Sequence, residues 1–177
     1  MTARRFLLGA VLVPAALVLQ TTVVARLPLP GSPPDLVLVL VLAFALAEGP
    51  LSGMGTGFVA GALADLTADH ALGRLALAYV VAGHLVGLAA GGDDRAVLRP
   101  FVVVGAAAAG VLLLYAGEGL LLGDPRVSAG ALGVGLVSSV PYAVVLVPLV
   151  VPLVGLLVRW ADVDTDGRPA TSRRARP

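Results

Sequence analysis

The chain contains no cysteine and no lysine. Without cysteine there is no disulfide framework, no thiolate metal site and no cysteine nucleophile. All 12 basic side chains are arginine, set against 11 acidic ones, for a net charge of +1. Charged residues make up 13% of the 177 positions and aromatics 5%. A soluble domain carries about 25% charged residues, so this surface does not face water. Dense basic character is confined to the short stretch from Arg168 to Arg176, which excludes a nucleic-acid binder. What fills the chain instead is apolar: hydrophobic residues reach 58%, in recurring runs of span length. Each such run can cross a bilayer as a helix of about 20 residues.

The composition therefore predicts an all-α, polytopic integral membrane helical bundle of about six spans, with almost nothing outside the lipid. The spans fall at 6–25, 35–47, 51–66, 72–90, 101–123 and 131–158. The first follows a short basic lead and is longer than the ~7–15 residues of a signal-peptide core, so it reads as a retained span. Four prolines and a glycine between Leu27 and Pro34 make a rigid loop. The second run would reach only about 20 Å as a helix, and Glu48-Gly49-Pro50 breaks it. Segments two and three thus read as a tight, short hairpin, which persists at membrane depth only where other protein covers its ends. Arg159 to Pro177 is polar and rich in Arg, and reads as a disordered cytoplasmic tail.

Arginine placement predicts orientation. With six spans, Arg4, Arg5, Arg95, Arg99, Arg159, Arg168, Arg173, Arg174 and Arg176 share the side of both termini; Arg26, Arg74 and Arg126 lie opposite. That asymmetry puts both termini in the cytoplasm and the chain in the plasma membrane.

The strongest internal pattern is Gly49, Gly53, Gly57 and Gly61, one every four residues. On a helix these lie on nearly one face, where their small size lets another backbone approach closely. Asp65 is next in the series, so the expected feature is a tightly packed seam ending in an acidic contact. Asp35 follows Pro33-Pro34 and suits a helix N-cap. Other ionisable groups at membrane depth are few (His84, Glu118, Glu48) and share no helical face. Ser52-Gly53 with His84 is loosely similar to the dyad of rhomboid intramembrane proteases. Pro50 replaces the preceding glycine of that motif, and no upstream His/Asn pair stands ready for an oxyanion. Asp162-x-Asp164-x-Asp166-Gly167 resembles the start of an EF-hand loop, but Arg173 stands where the final Glu belongs. The residues point to no catalytic centre, no metal and no cofactor.

The order of motifs from Pro34 to Gly87 carries a resemblance. Pro34-Asp35-Leu36 opens an apolar run. Gly57-Phe58-Val59-Ala60-Gly61-Ala62-Leu63-Ala64-Asp65 follows, then Leu72-Gly73-Arg74-Leu75-Ala76-Leu77 and Gly83-His84-Leu85-Val86-Gly87. This stretch resembles the rod shape-determining protein MreD family. Ala62 stands where the family often has Leu, and His84 where it often has Tyr; Gln20 is similar to a family feature in the first span. The resemblance implies a non-catalytic scaffold of the cell-wall elongation machinery, supporting peptidoglycan synthesis and rod shape. The implied partners are a MreC-like bitopic protein, RodA, a penicillin-binding transpeptidase and MreB. It makes Gly49, Gly53, Gly57, Phe58, Gly61 and Asp65 packing or interface candidates, and Pro34, Asp35, Leu72 and Gly73 structural ones. The alternative is the substrate-binding membrane subunit of an energy-coupling-factor vitamin transporter, which the family resembles in size and helix count.

Overall fold

A computed structural model describes residues 3–67, 72–91, 97–125 and 127–166. Six α-helices and one 3₁₀ turn, with no strand, account for the regular structure among them. They are α1 (Ala3–Thr22), α2 (Leu36–Glu48), α3 (Pro50–Leu66), α4 (Arg74–Ala89), α5 (Arg99–Leu121) and α6 (Ala129–Asp166). The 3₁₀ turn covers Val24–Arg26.

The helix ends have local causes. Asp35 caps α2 by accepting the Leu38 N–H at 2.9 Å. Gly49, with φ +91°, ends α2, and Pro50 then occupies the first position of α3. Only glycine takes that backbone conformation without strain, and proline has no N–H to leave unpaired there. One residue therefore turns the chain between two helices. Gly123 (φ +68°) closes α5: its N–H bonds the Leu120 carbonyl at 3.3 Å, and the Asp124 N–H bonds that of Gly119 at 2.8 Å. This is the Schellman arrangement. Ser128 starts α6 by accepting the Ala131 N–H at 3.1 Å.

α2 is the hub. Every residue from Val37 to Ala45 is buried, and α2 touches each of the other five α-helices. A helix that is apolar all round belongs inside a larger assembly. Three stretches are long and apolar enough to cross a membrane: Leu7–Arg26, which runs from α1 through the 3₁₀ turn, Arg99–Leu121 in α5 and Ala129–Ala161 in α6. α2 and α4 are shorter apolar helices. The outer surface is apolar too, with Leu121 89% and Val137 79% exposed. Exposed apolar surface on this scale fits lipid as the solvent. The molecule is a helical membrane-protein bundle.

The chain end differs from the reading of 159–177 as tail. α6 does not stop near Val158; its backbone helix continues to Asp166. The Asp162–Asp166 stretch is accordingly helical rather than an EF-hand-like loop, because i→i−4 bonding continues along it. Gly167 to Pro177 lie outside the described residues, as do Arg95 and Arg126.

Candidate functional site: the α3–α4 seam and its charged ends

α3 and α4 make the most extensive pairing in the fold, and glycine is the reason. A Cβ on Gly57 would sit 2.5 Å from the Tyr79 carbonyl oxygen. One on Gly53 would collide with the Gly83 carbonyl, and one on Gly61 with the Ala76 backbone. The reverse holds from α4, where Gly83 faces Gly53 and Gly87 faces Pro50. Two helix backbones thus lie in direct contact along the whole of α3. With no apolar-from-water drive inside lipid, such close packing supplies much of the helix association.

Not every residue of the glycine series does the same work. Gly49 has open space where its Cβ would be; its positive φ is what requires glycine, and only its backbone abuts Gly87. Phe58 points away from α4 and is 60% exposed, beside a groove of about 330 Å³ between α1 and α3. Because α4 of the same chain fills the seam, its glycines are not free for another protein.

At one end of the seam Asp65 is 1% exposed. Its Oδ2 accepts the N–H groups of Gly73 at 2.9 Å and Ala76 at 3.1 Å, and its Oδ1 accepts that of Leu75 at 3.1 Å. These are first-turn donors of α4 that no intrahelical carbonyl reaches. Gly73 holds the N-cap position with φ +97° and has no side chain to cap with. Asp65 therefore caps a helix to which it does not belong, and the carboxylate opposes the positive end of the α4 dipole. Leu72, beside this turn, is 71% exposed.

Arg74 opens the fourth span, and the sequence assigns it no partner; it is 5% exposed. Its Nη1 donates to Asp124 at 2.8 Å and its Nη2 to the Tyr115 carbonyl at 3.0 Å. The guanidinium stacks 3.9 Å from the Tyr115 ring centre, and its Nε lies 4.0 Å from Glu118. A planar, forked cation can serve all of these at once where lysine cannot. A charge within a spanning helix persists only when it is paired, but nothing local in the sequence names Tyr115, Glu118 or Asp124 as the partners.

The other polar ends tie further helices. Asp35 also receives the Tyr79 hydroxyl, joining α2 to α4, and Gln20 Oε1 accepts the Val37 N–H at 2.9 Å, joining α1 to α2. Pro34 is buried beneath this cap. At the opposite end of α2, Ser52 donates to Glu48, and Arg5 lies 3.5 Å from Glu48. The Ser52 hydroxyl thus donates its hydrogen bond to a carboxylate, and His84 Nδ1 is buried without a hydrogen-bond partner. The pair does not form a nucleophile–base dyad. Among the described residues, no group of three or more His, Asp or Glu is placed to hold a metal.

A family model described as rod shape-determining protein MreD matches residues 2–115. The chain belongs to the MreD family. The match runs from α1 to Tyr115 in α5, and so contains the seam, the Asp65 cap and the Asp35 cap. The comparisons with curated proteins and with solved structures gave no match. Membership places the protein in rod shape determination. Two of the groups that neutralise Arg74, Glu118 and Asp124, lie beyond the MreD match, as does all of α6.

Proposed function

We propose that this MreD-family chain is a non-catalytic scaffold of the cell-shape elongation complex. It sits in the plasma membrane with both termini cytoplasmic and supports peptidoglycan synthesis by holding other membrane proteins against its helix faces. The partners are a MreC-like bitopic protein, RodA, a penicillin-binding transpeptidase, and MreB directly or through them. One observation carries the reading: Asp35, Asp65, Arg74, Glu48 and Ser52 all bond to other parts of the same chain. Polar chemistry holds the bundle together, and what remains for other molecules is apolar helix surface.

Affinity purification of the tagged chain from its own membranes in mild detergent tests this. Recovery of a MreC-like protein and the elongation synthases supports it. A pair of ATPases with a coupling membrane subunit would overturn it and make the chain a transporter's substrate-capture subunit. That second reading draws on a cavity of about 210 Å³ lined by Gln20, Asp35 and Ser139. The cavity is smaller than the ~300 Å³ where ligand pockets usually begin, and its carboxylate already accepts bonds from Leu38 and Tyr79.

A further inference from the structure

Asp35, Glu48, Asp65, Arg74 and Glu118 each find a hydrogen bond or an ion pair inside the chain. His84 differs: its Nδ1 is buried with no hydrogen-bond partner. The ring belongs to α4, an apolar helix that packs on α2, α3 and α5. On the packed sides Tyr79, Ala82, Gly83, Val86 and Gly87 are buried. One strip stays open. Leu77 is 52% exposed, Val81 39% and Leu88 59%, and His84 lies among them, half-buried. At about 100° per residue these four fall within roughly 60° of one another. Their spacing of four, three and four residues is that of a helix-packing seam.

A neutral imidazole brings one donor and one acceptor. In hydrocarbon a polar group without a partner costs free energy. His84 cannot relieve that cost by reaching for water. It stands five residues before Ala89, about 7.5 Å from the nearer end of α4. Helical side chains lean toward the helix N-terminus, so the ring leans toward Arg74 and away from that end. Its stem is a single methylene, too short to snorkel as lysine or arginine does. A half-turn about χ2 carries Nδ1 to the outer edge of the ring, where a neighbour in the membrane meets it.

We infer that the strip of Leu77, Val81, His84 and Leu88 receives a spanning helix of another polypeptide, which sets a hydroxyl or carboxamide side chain against His84. Either group both donates and accepts, so it pairs with whichever ring nitrogen it meets. Two copies of this chain meeting about a two-fold axis present the same ring atom to each other. A shared tautomer then sets donor on donor or acceptor on acceptor. The inference rests on the scaffold reading and adds to it which face is used and what chemistry the partner presents.

Photo-crosslinking in native membranes tests the placement. A benzophenone amino acid is put at Val81 or Leu88, with Val102 and Leu113 on the exposed side of α5 as controls. The expected product joins α4 to a spanning segment of a different protein that carries Ser, Thr, Asn or Gln within a turn of the crosslinked position. Products with lipid alone, with a second copy of the chain, or with a segment lacking such a residue overturn the inference. Two variants test the chemistry. His84→Leu removes the unpaired ring atoms. The purified variant should melt at an unchanged or higher temperature yet retain the partner about fivefold to thirtyfold less well. His84→Gln keeps a donor and an acceptor and should retain the partner close to the wild-type level. A histidine that only supports the fold gives the reverse: His84→Leu lowers the melting temperature and leaves retention intact, which overturns the inference. If the wild-type chain recovers its partner but the crosslinks arise only from α5, the face is wrong and the scaffold stands. If it recovers no membrane protein, the scaffold reading falls and the inference with it.

Discussion

Removing the Asp65 carboxylate should loosen α4 from α3 at one end. In Asp65→Ala, the N–H groups of Gly73, Leu75 and Ala76 lose an ionised acceptor in a site with 1% exposure. A hydrogen bond to a charged group contributes about 1.5–3 kcal/mol, and orphaned buried donors add their desolvation cost. The three bonds share one side chain and are not additive, so a total of about 3–5 kcal/mol is the reasonable range. For a chain of this size each kcal/mol moves the melting temperature by about 2–4 °C. The expected fall is thus on the order of 10 °C for thermal unfolding in detergent, followed by circular dichroism. Asp65→Asn should fall between the parent and Asp65→Ala. Its one carbonyl oxygen can serve the pair Gly73 and Ala76, while its amide N–H₂ then faces the Leu75 N–H. If Asp65→Ala melts within about 2 °C of the parent, the cap contributes little and the reasoning is refuted.

Gly57→Leu should prevent the α3–α4 contact, since even a Cβ there meets the Tyr79 carbonyl at 2.5 Å; size-exclusion profiles should show loss of the monodisperse peak. Gly55→Ala, with nothing within 4 Å of its Cβ, should be neutral or stabilise by up to about 1 kcal/mol. Arg74→Lys keeps the charge but not the fork, and a destabilisation of about 1–3 kcal/mol is expected in the same melts. Tyr79→Phe removes the hydroxyl that Asp35 accepts and should cost about 1–2 kcal/mol, while an unchanged melt would show the bond to be idle. Because the chain has no native cysteine, single cysteines report sidedness cleanly. Leu27→Cys and Leu72→Cys should react with an impermeant maleimide from the cell exterior, and Val97→Cys should not; the opposite pattern reverses the orientation.

The sequence by itself determined the fold class. Long apolar runs, scarce charge and proline–glycine breaks leave only a helical membrane bundle, because lipid forces every backbone group into an internal bond. It also put Gly53, Gly57 and Gly61 on one helical face, since a four-residue spacing is a local property. It marked Asp35 as a cap from the prolines before it. What it left open is what the tertiary structure decided: that α4 fills the glycine face, that Phe58 turns outward, and that Asp65 caps the first turn of another helix. Arg74 shows the limit most plainly, for its main anchor, Asp124, comes from the turn after a different helix. The physical reason is the solvent. In lipid both the core and the outer surface are apolar, so a helix carries little pattern to say which side faces in. Burial there is set by which backbones can approach and which charges find a partner, and those are properties of pairs of segments distant in the chain.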